Sequence, residues 1–242
     1  MSIAQVIINE MSALYNDKQA ANLSRFFKTG KGEYGEGDKF LGIKVPTTRS
    51  IVKKYRKEVS LKEIETLINS KWHEIRLAGF LLLLDLYKES FKTGDKIHTR
   101  GLVDFYLANI QNGNNWDQVD LVAPYILGDW VMIHPEFESL LIDLANKEGY
   151  LWHQRVAIVS TLPLIKSQKF DITFLIAAKF IYHPHDLIHK ATGWMLREVG
   201  KRGGKKELVE FLEKHKYLMP RTMLRYAIEK FSEEERKYFL RK

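Results

Sequence analysis

The segment N-N-W-D-Q-V-D at residues 114–120 contains the side chains best suited to chemistry. Residues four apart lie on one face of an α-helix, so Trp116 and Asp120 are predicted to lie side by side. An ionised carboxylate stabilises positive charge that develops in a transition state, and an indole packs against a sugar or a base. Two interpretations of Asp120 are open at this point: a catalytic carboxylate, and a structural carboxylate that forms a salt bridge with a neighbour.

Asp120 also belongs to a series of charged residues, each followed by small and apolar residues, which we call the anchor residues. They are Arg76, Asp120, Arg155, Lys190 and Arg225. The last four are spaced 35 residues apart, and the first gap is 44 residues. If the anchor residues line one face, a single carboxylate lies among four cations; this arrangement fits both a salt bridge with a neighbour and a catalytic carboxylate in a basic groove, and the nearby tryptophans favour the second. Asp117 falls outside this register, and we predict that it is a structural partner.

Tryptophans accompany the anchor residues at helical spacing. Trp116 lies four residues before Asp120, and Trp194 lies four residues after Lys190. An indole in a groove is expected to stack against a sugar or a base. Trp72 and Trp130 are instead expected to pack in the core.

The elements that must position these residues are helices, because apolar residues recur at three-to-four spacing in almost every segment. Ser60 followed by Glu63 is a capping box that predicts a helix over residues 61–69. Breaks are predicted at residues 93–95, 111–113, 134–135, 147–149, 183–184 and 203–204. The 35-residue period is typical of two-helix repeats, so we predict one all-α domain over residues 1–242, a HEAT-like helical-repeat solenoid with a concave binding face.

Composition narrows the classes of partner. The formal charge is +8, with 38 Lys and Arg against 30 Asp and Glu, which fits a polyanion-binding surface. The absence of cysteine excludes disulfides, thiolate nucleophiles and cysteine-ligated metals. The N-terminal residues lack the features of a signal peptide and no apolar run is long enough to span a bilayer, so we expect a cytoplasmic protein without membrane contact.

Several of these motifs together resemble the AlkD family of DNA alkylation-repair glycosylases. The resemblance is carried by N-W-D-Q-V-D at 115–120, L-G-D-W at 127–130, W-H-Q-R-V-A at 152–157 and K-A-T-G-W-M-L-R-E at 190–198. The early F-L-G-I-K-V-P at 40–46, followed by Arg49, is similar to the first repeat of that family. The matches run from Phe40 to Glu198.

The resemblance implies a helical solenoid that binds duplex DNA and removes positively charged N3- or N7-alkylated purines without metal or cofactor. It implies that the catalytic residues are Asp120, Trp116, Arg155 and Trp194. It implies DNA-binding roles for Lys44, Arg49, Lys190, Arg197 and Arg225. The protein is further expected to be monomeric and to associate with the nucleoid when it is bound to DNA.

The implied chemistry suits a single carboxylate. An N-alkylated purine already carries positive charge and leaves without a general acid, whereas glycosidases commonly need two carboxyl groups. Asp120 would stabilise the oxocarbenium-like sugar and orient the attacking water. Trp116 and Trp194 would pack against the sugar and the cationic lesion, and Arg155 would contact a phosphate.

Other interpretations remain open. Phe26 stands where the family pattern has an aromatic hydroxyl, and the glycine-rich segment 29–39 resembles an insertion; the protein is therefore alternatively a non-catalytic binder of branched or damaged DNA. A protein-binding helical scaffold is a third possibility. His183, His185 and His189 are expected to serve helix-start and surface roles rather than to bind metal. The G-x-G-x-x-G pattern at 30–35 lacks the strand that a dinucleotide site requires, so we reject it.

Overall fold

The computed structural model describes residues 1–241, which contain sixteen α-helices and no β-strand. The predicted all-α helical-repeat fold is confirmed. The helices are α1 (Ile3–Ser12), α2 (Asp17–Phe26), α3 (Val45–Tyr55), α4 (Leu61–Ile68), α5 (His73–Thr93), α6 (Lys96–Ala108), α7 (Trp116–Ala123), α8 (Asp129–Ile133), α9 (Glu138–Ala145), α10 (Leu151–Val159), α11 (Leu162–Lys166), α12 (Asp171–Phe180), α13 (Asp186–Lys201), α14 (Lys205–His215), α15 (Arg221–Ala227) and α16 (Glu233–Leu240). A π-helical segment, Pro124–Gly128, follows α7. No helix in residues 1–241 is both long and apolar enough to cross a bilayer.

Local sequence signals are visible at the start of α4 and at the end of α5. The capping box is present at the start of α4, where the Ser60 side chain accepts the N–H of Glu63 and the Glu63 side chain accepts the N–H of Ser60. Gly94 ends α5 in the left-handed region, with φ of 74°, which glycine adopts without a steric penalty. All six predicted breaks fall between helices or at their ends, and they are confirmed.

The chain divides into two compact units, Met1–Val122 and the residues from Ala123 onward. The prediction of a single domain stays a prediction. In the first unit α5 lies in the centre and packs against α3, α4 and α6. Its run of residues 75–84 is buried on every side, because neighbouring helices cover all its faces.

In the second unit consecutive helices pack against each other: α9 packs against α10, α12 against α13, and α13 against α14. Helices α10 and α15 both pack against α13. The anchor residues Arg155, Lys190 and Arg225 are each the fifth residue of their helix, and Asp120 is the fifth residue of α7. The 35-residue spacing therefore reflects a repeated helix start.

Gly193 explains how α13 and α15 approach one another. A Cβ atom at Gly193 would lie 2.5 Å from the carbonyl oxygen of Met223 and 2.5 Å from Cβ of Tyr226. Only glycine leaves room for the backbone of α15 at this point.

Candidate active site around Asp120

The start of α7 is fixed by Asn115, which is fully buried. Its side-chain oxygen accepts the N–H of Trp116 at 2.9 Å, and its backbone carbonyl accepts the N–H of Val119 at 3.2 Å. Capping of this kind satisfies N–H groups that a helix start leaves without partners. The first turn of α7 is thereby held in place, and Asp120 follows one turn after Trp116.

The two carboxylates of α7 lie in different environments. Asp117 is 7% exposed; its Oδ2 lies 3.0 Å from Nε2 of His73, and its Oδ1 accepts the N–H of Gln118 at 2.8 Å. Asp120 is half-buried. The prediction that Asp117 is a structural partner is confirmed, and Asp120 is the carboxylate of this helix with access to solvent.

His73 lies between two carboxylates. Nδ1 of the ring lies 2.8 Å from Oδ2 of Asp38, and Nε2 faces Asp117. Carboxylates only accept hydrogen bonds, so both ring nitrogens donate when His73 is an imidazolium ion. Burial opposes this charge, but the hydrogen bonds to Asp117 and Asp38 outweigh it and raise the pKa of His73 to about 9. Burial also acts to raise the pKa of Asp38, yet His73 and Arg76 hold that pKa below its ordinary value.

Arg76 does not line a groove, so the expectation drawn for this anchor residue is wrong. It is 6% exposed, and its guanidinium donates to Asp38 Oδ1 at 2.7 Å and to Asn114 Oδ1 at 2.7 Å. Its Nη1 and Nε donate to the carbonyl oxygens of Ser70 and Asn112, respectively. A buried guanidinium must satisfy its donors inside the protein, and here four internal acceptors do so.

Glu74 holds the backbone of residues 41–43, a role that the sequence did not reveal. Its carboxylate accepts the backbone N–H groups of Leu41, Gly42 and Ile43 at 2.9, 2.9 and 3.1 Å. His73, Glu74 and Arg76 thus tie residues 38–43 and the segment before α7 to the start of α5. The signal in the sequence was three charged or polar residues at the start of a helix, directly before residues 77–84, which are all apolar and buried.

Trp116 rests against an aromatic cluster from α2 and the segment after it. Its ring centroid lies 5.4 Å from that of Phe27 and 6.0 Å from that of Phe26. Phe27 stacks on Phe40 at 5.2 Å, and Phe40 stacks on His73 at 4.5 Å. The charged imidazolium therefore lies beneath aromatic faces, a favourable arrangement. Trp116 is half-buried and Phe26 is 63% exposed, so this cluster reaches the surface.

Tyr106 of α6 lies behind Asp120. It is 2% exposed, and burial together with the negative charge of Asp120 raises the pKa of its hydroxyl. The phenol therefore stays protonated at neutral pH.

Two further predicted residues of the first unit, Lys44 and Arg49, are exposed at the start of α3. Lys44 lines a cavity of about 440 Å³ together with Lys18 and Thr47.

Helix α13 carries three predicted residues on one face of the second unit, since Lys190, Trp194 and Arg197 are spaced by four and three. Lys190 Nζ lies 2.7 Å from Asp186 Oδ2. Arg197 pairs with Glu229. Trp194 is half-buried.

The other two predicted residues of this unit differ in exposure. Arg155 is 5% exposed, and its Nη1 donates to the carbonyl oxygen of Leu187 at 2.6 Å, which ties α10 to α13. Arg225 is exposed. The roles of these residues in chemistry and DNA binding stay predictions.

The three histidines near α13 take part in local structure. His183 Nδ1 accepts the N–H of His185 at 3.0 Å, and His185 Nδ1 accepts the N–H of Leu187 at 3.1 Å at the helix start. His189 Nε2 lies 2.5 Å from the carbonyl oxygen of His183. Within residues 1–241 no group of His, Asp or Glu side chains has an arrangement that could hold a metal ion.

Comparisons with known proteins agree with this architecture. The chain is similar to a solved structure described as a predicted DNA alkylation repair enzyme from Enterococcus faecalis, with 19% sequence identity and a TM-score of 0.69. The match covers 90% of this chain and 97% of that one, and at this identity it shows the fold. No curated protein was found to match the chain. Residues 7–231 match the family model described as DNA alkylation repair enzyme, and the chain belongs to this family.

Proposed function

We propose that the protein is a DNA glycosylase that removes N3- or N7-alkylated purines from duplex DNA. The observation that carries this proposal is the contrast between two carboxylates on α7. The two differ in exposure: Asp117 is buried against His73, whereas Asp120, one turn beyond the half-buried Trp116, is itself half-buried. An ionised group beside an aromatic wall suits a substrate that carries positive charge.

The reaction follows from the chemistry of the substrate. The bond between C1′ of the deoxyribose and the purine nitrogen breaks, and its electron pair moves to the purine, which leaves as a neutral base. Positive charge then develops on the sugar, where the carboxylate of Asp120 stabilises it. Water adds to C1′ and releases a proton, so the products are a free alkylpurine and an abasic site.

The remaining predicted residues have supporting roles in this proposal. In the first unit Trp116 packs against the sugar, and Lys44 and Arg49 contact backbone phosphates. In the second unit, Lys190, Arg197 and Arg225 bind phosphates and Trp194 packs against sugar or base. Arg155 is buried and donates to the carbonyl oxygen of Leu187, so its proposed phosphate contact requires its guanidinium to turn away from that carbonyl. No cofactor or metal takes part. The protein acts as a monomer in the cytoplasm and associates with the nucleoid when it is bound to DNA.

Base release from a methylated duplex tests the proposal. Wild-type protein, without added metal, is expected to release 7-methylguanine or 3-methyladenine, and Asp120→Asn is expected to lower the single-turnover rate about 100-fold or more while DNA binding persists. Asp143→Asn is the matched control, because Asp143 is an exposed carboxylate on α9 and its substitution makes the same chemical change.

Two outcomes would contradict the proposal. Full activity in Asp120→Asn removes Asp120 from the chemistry. Salt-dependent DNA binding by the wild-type protein, with no release of base from any methylated duplex, favours the non-catalytic binder of branched or damaged DNA.

A further inference from the structure

The 35-residue period extends beyond the anchor residues into two exposed turns of the second unit. Lys179 and Lys214 are 35 residues apart, as are Tyr182 and Tyr217. Lys179 is the ninth residue of α12 and Lys214 is the tenth residue of α14. Each tyrosine lies in the turn that leads into α13 or α15. We call the segments 179–182 and 214–217 the Lys-x-x-Tyr turns.

The four side chains project into solvent. Tyr182 is 74% exposed and Tyr217 is 75% exposed, more than any other aromatic residue of the described chain. Lys179 and Lys214 are exposed as well, and no ion pair involves either of them within residues 1–241. Lys190 and Lys216, by contrast, pair with Asp186 and Glu213, both at 2.7 Å. The exposed rings and unpaired cations add little to stability.

Helix packing places the two turns next to each other. Helix α13 packs against α15, with the contact at Gly193, and it also packs against α12 and α14. Packed helices lie about 8–10 Å apart, so equivalent positions of adjacent helix pairs are separated by roughly the same distance. Phe174 of α12 also stacks on Phe211 of α14 at 5.2 Å, so the helices that carry Lys179 and Lys214 lie side by side. The two Lys-x-x-Tyr turns, at the C-terminal ends of these two helices, are thereby brought to the same end of the helix pairs.

This combination of groups fits one class of partner. An ammonium group without an internal counter-ion attracts a phosphate, and a phenol hydroxyl donates to a phosphate oxygen while its ring packs against a sugar. A repeated pair of such groups matches a polymer with regularly spaced phosphates. An apolar protein surface would leave both lysines desolvated and without a counter-ion.

We infer that the two Lys-x-x-Tyr turns bind the sugar-phosphate backbone of duplex DNA. The inference rests on the proposed function only in that it takes DNA as the partner. It adds a contact surface outside the residues assigned to chemistry, which contributes affinity without sequence or lesion selectivity.

Salt-dependent binding to an unmethylated duplex, measured by fluorescence anisotropy, tests the inference. The double variant Lys179→Ala/Lys214→Ala is expected to bind on the order of tenfold more weakly near 100 mM salt, and the slope of log K against log salt should become shallower by about two. The control is Lys62→Ala/Lys206→Ala, which removes two exposed lysines of α4 and α14 that form no ion pair in the described part of the chain.

Substitution of the tyrosines separates their contribution from that of charge. Tyr182→Ala/Tyr217→Ala should weaken binding several-fold at every salt concentration and leave the slope unchanged, because no charge is removed. Tyr182→Phe/Tyr217→Phe should retain the part of the affinity that comes from ring packing. All four side chains are exposed, so circular dichroism and urea unfolding should match the wild type.

The binding assay and the base-release assay test the Lys-x-x-Tyr turns and the glycosylase proposal separately. If both hold, Lys179→Ala/Lys214→Ala lowers affinity but keeps the single-turnover rate of base release at saturating protein. An unchanged slope, or an equal change in the Lys62→Ala/Lys206→Ala control, overturns the inference whether or not the protein releases bases. Loss of base release in Asp120→Asn has no bearing on it.

Discussion

Nε2 of His73 lies 3.0 Å from Oδ2 of Asp117, and this contact joins the start of α5 to the first turn of α7. The same ring is held by Asp38 at 2.8 Å and stacks on Phe40 at 4.5 Å. Residues Trp116 and Asp120 flank Asp117 on α7. The charged pair thus positions the helix from which both candidate active-site side chains extend.

The protonation of His73 predicts a pH dependence of stability. Its folded-state pKa, about 9, lies above the ordinary value of 6.5, so the folded protein holds this proton more tightly than the unfolded chain does. The stabilisation is fully present below about pH 6.5 and is lost as the pH rises through 9. The expected loss in the free energy of unfolding is on the order of 3 kcal/mol.

Urea unfolding of wild type and His73→Gln between pH 6 and 10 measures this effect. The difference in stability between the two proteins should shrink as the pH rises. His98→Gln, at an exposed position of α6, should show no such trend. A difference that stays constant with pH would mean that His73 does not gain its proton affinity on folding.

The two aspartates of α7 are predicted to differ in their effect on stability. Asp117→Asn removes one partner of a buried ion pair and should lower the free energy of unfolding by about 3 kcal/mol or more. Asp120→Asn, at a half-buried position, should cost clearly less. Urea unfolding at pH 7 compares them; an equal or larger loss for Asp120→Asn would favour the structural interpretation of Asp120.

Phe26 provides a test of the aromatic cluster. Its ring is 63% exposed and lies 6.0 Å from Trp116, so Phe26→Ala should lower stability by less than about 1 kcal/mol. Loss of the Phe26 ring beside Trp116 should nevertheless reduce kcat/KM for base release several-fold. Phe91→Ala is the control, because Phe91 is also exposed and lies about 27 Å along α5 from His73. Equal rates for the two variants would exclude Phe26 from the substrate contact.

Gly193 is predicted to be intolerant of a side chain. Gly193→Ala would force α13 and α15 apart and should lower the free energy of unfolding by roughly 1–3 kcal/mol. Gly101→Ala is the matched control: outside the backbone of its own helix turn, no atom lies within 4 Å of a Cβ at this exposed position of α6, and the change should stabilise the protein by up to about 1 kcal/mol. Thermal or urea unfolding distinguishes the two variants, and similar stabilities would contradict the close helix contact.

The anchor residues show which structural features the 35-residue spacing predicted and which it did not. Their spacing identified equivalent helix starts, because a period of 35 residues repeats the same pair of helices. It did not identify exposure: Arg155 is buried against Leu187, Arg76 is buried among four acceptors, and Arg225 is exposed. Exposure depends on which neighbouring helix covers a side chain, and a repeat spacing does not contain that information.

Sequence patterns predicted the helical repeat, six breaks between helices and the capped start of α4, because these follow from spacing, capping and turn chemistry, and the repeat register separated Asp117 from Asp120. Only the tertiary structure showed that His73, Glu74 and Arg76 join three distant segments beneath Trp116. Asp38, His73 and Asp117 are far apart in sequence, and folding alone brings their charges within hydrogen-bond distance. Burial then makes pairing obligatory, since an unpaired charge in the core would cost several kcal/mol.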